Sequence, residues 1–173
     1  SSQRDIEIPI GNETSILVLR TEAYAYHQEN VSKSPGLYHP ETLKRIRSGA
    51  EISAGSYISA RRQLDQLRRS AQKVFETVDL LITPSTPVPP FKISELLADM
   101  DNLRTKEVLT LRNTRPFNTL GLPTISVPCG FTSTGLPVGM QITGPPGGEA
   151  AVLRLANAYA QQTTWHNRRP NLR

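Results

Sequence analysis

One cysteine, Cys129, is the candidate thiol nucleophile of this sequence. A catalytic thiol needs a neighbouring imidazole, or another positive group, that lowers its pKa and holds it as the thiolate. Cys129 instead follows a proline inside an apolar stretch, where a cysteine is usually a small buried side chain. We therefore predict that Cys129 is buried and inert.

Two further catalytic patterns are missing from the sequence. It contains no serine in a Gly-x-Ser-x-Gly turn. A glycine-rich stretch at residues 144–148 precedes an expected helix, but its two prolines lack the amide donors that a phosphate would need. No lysine follows, as one would in a phosphate-binding loop. Residue types and spacing alone assign no catalytic residue.

The composition argues against several other classes of protein. The chain has 173 residues, with 20 Lys and Arg against 15 Asp and Glu, a formal net charge of +5. One cysteine and three scattered histidines predict neither a disulfide framework nor a metal site, and no cofactor is expected. The apolar runs are far shorter than the ~20 residues of a membrane span. The given sequence does not open on a basic and then apolar stretch, so we expect no signal peptide. We expect a cytoplasmic protein with no membrane contact.

Positive charge is concentrated between residues 44 and 69, where there are seven basic residues and only two acidic ones. On one helical stretch, such a basic stripe would suit phosphate or RNA binding. The favoured interpretation is a solvated helix face whose arginine stems cover apolar side chains. Since no aromatic residues alternate with the arginines, base stacking is unsupported. Nucleic-acid binding is the less favoured interpretation.

Helices must position any site that the chain forms. Apolar residues spaced by three and four predict helices over residues 14–30, 41–52, 56–78 and 149–162. Residues 91–113 are polar and moderately helical, without a sharp signal, and residues 165–173 show no periodicity.

Strands are expected between these helices. Residues 5–10 alternate and then meet a turn, which predicts a strand. The run at residues 80–82, ahead of a proline-rich segment, predicts a buried strand that leads into an extended loop. Residues 124–131 and 138–144 predict a hairpin, in which Pro128 indicates an edge or a bulge. Helices and strands alternate, so the expected fold class is α/β.

Three blocks of the sequence resemble the amidase signature family. Residues 79–87 (DLLITPSTP) are similar to the family segment vD-x-L-x-TP-x-x-P. Residues 115–131 (RPFNTLGLPTISVPCGF) resemble its pfN-x-x-GLPaisvPcGf block, and residues 135–142 (GLPVGMQI) resemble its GLPvGlQi strand. Similar residues also fall at the positions of Glu22, Tyr26, His27, Tyr57 and Arg61. The resemblance spans nearly the whole chain, in order.

The resemblance implies a mixed β-sheet flanked by helices, with residues 1–173 as the C-terminal portion of one such domain. Members of the family hydrolyse amide C–N bonds with a nucleophilic serine, a bridging cis-serine and a lysine base. These residues precede the region matched here, and the sequence contains no comparable Gly/Ser-rich segment. The resemblance thus implies part of an amidase whose catalytic triad is not in this chain. We predict that the isolated chain is inactive.

The resemblance also indicates three substrate-binding candidates, Arg45, Arg115 and Asn118. Arg115 suits an anionic substrate group and Asn118 a backbone contact near the pocket, while a surface arginine and a turn asparagine remain open alternatives. Arg45 lies near a basic residue that grips the substrate carboxylate in relatives using glutamine for tRNA-dependent amidation. Those relatives place an acid near Leu111, a departure that weighs against glutamine. The loop at residues 83–86 either borders the pocket or is a plain connection.

The expected partners are a small amide substrate and the N-terminal half of the amidase domain. Without that half, residues 80–83, 125–127 and 138–142 would leave strand edges open, and these edges would recruit either another copy of the chain, as a homo-oligomer, or the N-terminal half itself. Two alternative functions remain. One is a non-catalytic binding module, and the other is a fragment of a tRNA-dependent amidotransferase A-type subunit with a basic RNA-facing stripe.

Overall fold

The computed structural model describes residues 12–170, so the strand expected over residues 5–10 lies outside the described part. The chain divides into two compact units, one within Pro9–Ser70 and the other built mainly from Ala71–Arg173. No helix among the described residues is long and apolar enough to cross a membrane.

The first unit is helical. It contains α1 (Asn12–Lys33), α2 (Pro40–Arg47) and most of α3 (Ala54–Gln72), with a short 3-10 turn at Pro35–Leu37. Its core is formed by Val18 of α1 against Ala60 and Leu64 of α3, with Leu17 and Tyr57 packed beside them. The predicted apolar spacing matches this core only in part: Leu64 of α3 is buried as expected, whereas Leu19 and Tyr26 of α1 are exposed.

Two predicted helix ends in this region were wrong. α2 ends at Arg47 rather than near residue 52, because Gly49 is buried and a Cβ there would overlap the backbone carbonyl of Arg20. The chain turns at this close approach and α3 begins at Ala54. α3 ends at Gln72, where a 3-10 turn, Lys73–Glu76, replaces the last predicted α-helical turn.

The second unit combines a small sheet with short helices. Its elements are β1 (Leu81–Pro84), α4 (Ile93–Leu97), α5 (Leu103–Thr110), α6 (Arg115–Leu120), β2 (Thr124–Phe131), β3 (Pro137–Thr143) and α7 (Glu149–Gln162). A 3-10 turn follows at Trp165–Asn167. The α/β class and the bounds of α7 are confirmed, whereas α4 and α5 lie in the polar stretch that carries no sharp signal.

β3 lies at the centre of the sheet, between β1 and β2. It pairs antiparallel with both neighbours, so the three described strands are all antiparallel. The predicted hairpin of β2 and β3 is confirmed. The predicted irregularity at Pro128 is also confirmed as a bulge, since the register shifts between Pro128 and Gly130.

One face of the sheet is apolar and is covered by α7. Ile142 of β3 is fully buried against Val152 and Ala156 of α7, with Ile125 and Met140 packed beside them. α7 packs on β2 and β3. The prediction of a buried strand at residues 80–82 was therefore wrong: β1 is an edge strand, and Ile82 is 58% exposed.

Candidate functional site

The opposite face of the sheet carries polar side chains in one row. The register places Thr83 of β1, Gln141 of β3 and Ser126 of β2 side by side. The adjacent row, Ile82, Ile142 and Ile125, belongs to the apolar face because successive residues of a strand point to opposite sides. The middle of this sheet face therefore carries a hydroxyl–amide–hydroxyl row.

Gln141 lies at the centre of this row and is 3% exposed. Its Nε2 donates one hydrogen bond to Thr83 Oγ1 and another to the backbone carbonyl of Asn113, each with a donor–acceptor distance of 3.1 Å. The side-chain amide has two N–H groups, and each has an acceptor. Asn113 Nδ2 in turn donates to the Pro84 carbonyl at 2.9 Å. These three bonds join the end of β1, the middle of β3 and the chain before α6.

The Ser126 hydroxyl of this row also pairs with a second hydroxyl, that of Ser85. Ser85 Oγ and Ser126 Oγ are 2.6 Å apart, and the Ser85 backbone N–H donates to the Gly139 carbonyl at 2.8 Å. No cation or imidazole is recorded bonding to this pair among the described residues, so the two serines do not form a nucleophile–base arrangement. They are two adjacent hydroxyls able to bond a neutral polar group.

α6 begins two residues after Asn113 and carries both sequence candidates of this unit. Its inward side chains, Pro116, Phe117 and Leu120, are buried. Arg115 is half-buried, and Asn118 is exposed on the outer side of the helix. The structure therefore places Arg115 and Asn118 on one short helix, with Asn118 available to a ligand or to another segment of protein.

Arg45 lies in α2, in the helical unit, and is half-buried beside the buried Ile46. Its backbone carbonyl accepts a hydrogen bond from Ser48 Oγ at 2.7 Å. Arg45 and α6 thus belong to different compact units. The role of Arg45 in binding a substrate stays a prediction, as do those of Arg115 and Asn118.

The basic stretch at residues 44–69 lies on two separate helices. The turn at residues 48–53 divides it, with three basic residues on α2 and four on α3. Arg61 of α3 also faces an acid, since its Nη1 lies 3.6 Å from Glu22 Oε1. The positive charge is therefore spread over two helices and partly neutralised.

Two polar clusters in the helical unit involve residues from the family resemblance. Tyr57 Oη donates to Glu22 Oε1 at 2.9 Å, and this hydrogen bond is the main reason that the pKa of Tyr57 is raised above 10.0. His27 Nδ1 lies 3.0 Å from Tyr38 Oη, and the ring of Tyr26 contacts the His27 ring edge-on. Both clusters join side chains of the helical unit to one another.

The prediction that Cys129 is buried was wrong, because this thiol is only half-buried. Cys129 is the residue at the bulge that has no partner in β3. A bulge adds a residue to one strand and removes it from the regular inside–outside alternation. Over residues 12–170, no three His, Cys, Asp or Glu side chains are grouped as they would be to hold a metal ion.

Sequence reasoning missed the bonding residues Asn113 and Gln141, and it named Thr83 only as part of the loop at residues 83–86, whereas Thr83 lies in β1. The sequence offered one signal for Gln141, a polar side chain flanked by Met140 and Ile142 in a predicted strand, since a polar group that becomes buried in a strand takes hydrogen-bond partners. Nothing local to residues 111–114 indicated that a backbone carbonyl there would be its acceptor.

Comparison with known proteins extends over most of the chain. A family model described as Amidase matches residues 20–153. The A-type subunit of the glutamyl-tRNA(Gln) amidotransferase of Thermodesulfovibrio yellowstonii is 41% identical over 137 residues, which are 76% of this chain and 28% of that protein. The protein of the same name from Chloroflexus aggregans is 42% identical over 140 residues, which are 78% of this chain and again 28% of that protein. The chain spans little more than a quarter of these relatives.

Solved structures show the same fold. A crystal structure of an amidase superposes with a TM-score of 0.77 at 23% identity, over 92% of this chain and 37% of the other. The 6-aminohexanoate cyclic dimer hydrolase superposes with a TM-score of 0.77 at 20% identity, over 96% of this chain and 39% of the other. At these identities, the similarity establishes the fold alone.

Proposed function

The chain belongs to the amidase family, and from this premise we propose that it is the C-terminal part of an enzyme that hydrolyses the C–N bond of a small amide. The observation that carries the proposal is the family match over residues 20–153, combined with the small share of each relative that the chain spans. The missing share is where the resemblance implies the serine, the cis-serine and the lysine. In the complete enzyme, the serine attacks the amide carbonyl and backbone N–H groups stabilise the oxyanion.

In this proposal, the second unit supplies one wall of the substrate funnel. Asn118 is exposed on α6, and Arg115 lies on the same helix. The Ser85 and Ser126 hydroxyls lie on the polar sheet face to which the chain before α6 is bonded. These groups bond and orient the substrate, while the chemistry comes from the N-terminal part. We place the complete enzyme in the cytoplasm.

The N-terminal part is also the proposed partner of the sheet. β1 and β2 form the two edges of the described sheet, and Ile82 is 58% exposed on the apolar face. Open edges and an uncovered apolar side chain are features that another strand or helix would cover.

A direct experiment compares the chain alone with the full-length protein that contains it. The full-length protein should hydrolyse simple alkyl or aryl amides, and the isolated chain should not exceed the buffer rate. Replacing Asn118 with Ala in the full-length protein should raise KM, whereas replacing the exposed Leu37 of the helical unit should not. Turnover by the isolated chain that is lost on mutation of one of its serines would contradict the proposal.

A second candidate is the A-type subunit of an amidotransferase, which would act on glutamine. The identities of 41% and 42% to two glutamyl-tRNA(Gln) amidotransferase subunits of this type favour it. Leu111 weighs against it, because the resemblance places an acid near this position and Leu111 is an exposed aliphatic residue. The discriminating measurement is glutaminase activity of the full-length protein with and without Leu111→Asp. Glutamine turnover that exceeds turnover of simple amides, and rises with this substitution, would favour the amidotransferase.

The binding-module alternative rests on the basic stretch of α2 and α3. If phosphate contacts drive RNA binding, log affinity falls linearly and steeply with log salt concentration. Weak RNA binding whose affinity changes little with salt concentration would contradict the binding module and favour the enzyme proposal.

A further inference from the structure

We propose that Gln141 is a positioning residue that holds the start of α6, and therefore Arg115 and Asn118, against the end of β1. The proposal rests on the function proposed above for its consequence on substrate binding, but its structural part stands independently. It is carried by one buried side chain with two bonds that lead to two different segments.

Gln141 has almost no exposed surface with which to meet a substrate, being 3% exposed. Both of its amide N–H groups are used, one on the Thr83 hydroxyl and one on the Asn113 carbonyl. A buried amide that lost either acceptor would carry the desolvation cost of an unpaired donor. The two segments are thus held in the arrangement in which both bonds form.

The bond to Asn113 is the informative one, because its acceptor is a backbone carbonyl. It fixes the main chain two residues before Arg115, which opens α6. Asn113 Nδ2 donates to the Pro84 carbonyl at 2.9 Å. Together with the two bonds of Gln141, this bond completes a ring that runs through Gln141, Thr83, Pro84 and Asn113. The chain before α6 is therefore tied to β3 by one bond and to the end of β1 by another.

Through this ring, Gln141 affects the position of α6, although its side chain does not belong to that helix. With the Gln141 amide removed, the Asn113 side-chain bond to Pro84 is left to hold the chain before α6 against the sheet. α6 and the Ser85 hydroxyl would then lose their fixed separation, and the substrate would meet a less organised wall. Loss of preorganisation in a wall that only binds raises KM more than it lowers kcat.

Thr143→Val provides a matched control for Gln141→Met. Thr143 lies two residues along β3 on the same polar face and is 1% exposed. Its hydroxyl bonds to Thr124 of β2 at 3.0 Å, within the hairpin and with no recorded bond to the chain before α6. Both substitutions remove a buried polar group from β3, but only Gln141→Met releases Asn113.

The test uses the full-length protein with a simple amide substrate. Gln141→Met should raise KM by about tenfold and change kcat by less than about threefold, while Thr143→Val should change neither. By hydrogen exchange, the Asn118 and Leu122 amides, which bond to Thr114 and Phe117, should lose protection in Gln141→Met only. Equal kinetics and equal exchange in the two variants would overturn the proposal.

A milder variant covers the case in which Gln141→Met fails to fold. Asn113→Ala removes the bond to Pro84 but keeps the carbonyl that Gln141 binds, so it should give a smaller rise in KM and a smaller loss of α6 protection. Unchanged KM and unchanged exchange in this variant would count against the ring. If the full-length protein hydrolyses no amide, the function proposed above fails, and hydrogen exchange alone decides the role of Gln141.

Discussion

The hydroxyls of Ser85 and Ser126 lie 2.6 Å apart although the two residues come from opposite edges of the sheet. Ser85 directly follows β1 and Ser126 lies in β2, with β3 between them. The two side chains meet above Gly139 of β3, whose lack of a side chain leaves the space for them. The contact between Ser85 and Ser126 therefore spans the central strand on the polar face, and it depends on the absence of a side chain at Gly139.

Gly139→Ala should destabilise the second unit by about 1–3 kcal/mol. A Cβ at this position would lie 2.7 Å from Ser85 Oγ and 2.9 Å from Ser126 Oγ, so the hydroxyl pair must separate. Equilibrium unfolding in urea measures the change in free energy.

Gly36→Ala is the control for this substitution, since a Cβ there would meet no atom within 4 Å. Its effect should stay within about 0.5 kcal/mol. If Gly139→Ala were as neutral as Gly36→Ala, the close packing above β3 would be contradicted.

The stability of the helical unit should fall at alkaline pH because of Tyr57. The hydrogen bond to Glu22 raises the pKa of Tyr57 above its ordinary 10.0. A raised pKa means that the contribution to stability is fully present below the unfolded pKa and is lost as the pH rises through the folded pKa. The melting temperature of the unmodified chain should therefore approach that of Tyr57→Phe between about pH 10 and pH 12.

Glu22→Gln tests the electrostatic part of this pH dependence. The substitution removes the charge next to Tyr57 but keeps an oxygen that accepts the hydrogen bond, so it removes only the part of the pKa shift that the carboxylate charge causes. The fall in melting temperature should then begin at a lower pH than in the unmodified chain. Parallel curves for the unmodified chain and Tyr57→Phe across the alkaline range would show that the Tyr57–Glu22 bond adds no pH-dependent stability.

The hairpin, the bulge and α7 were predictable because their signals are local. The signals were the alternation over residues 124–131 and 138–144, the proline inside the strand and the regular apolar spacing in α7. Each of them depends only on residues that are close in the sequence. The exposure of β1 was not predictable, because it depends on the position of α7, which packs on β2 and β3 while Ile82 of β1 stays exposed. The acceptor of Gln141 was also hidden, since it is a backbone carbonyl that any residue type at position 113 would supply.

Cys129 should react with a thiol reagent in the folded protein, more slowly than in denaturant but far faster than global unfolding allows. It is half-buried at the bulge, so part of the thiol meets solvent without unfolding. The measurement is the labelling rate with and without denaturant, at two reagent concentrations. A native rate that does not depend on reagent concentration would mean that labelling waits for unfolding, and that the thiol is enclosed.

The isolated chain should self-associate at micromolar concentration through its open sheet. β1 is an edge strand whose Ile82 is 58% exposed, and it offers unpaired backbone groups beside an apolar side chain. Ile82→Lys should weaken this association, because a charged residue on an edge strand opposes strand addition. It should leave the fold intact, because Ile82 contributes little to the core.

Leu37→Lys is the matched control, since Leu37 is 87% exposed and lies in the helical unit. Sedimentation velocity over a concentration series measures the effect: the unmodified chain and Leu37→Lys should show a rising average mass, and Ile82→Lys should not. A concentration-independent monomer for the unmodified chain, with cooperative unfolding, would show that the sheet needs no further strand and would favour a self-sufficient binding module over part of an amidase.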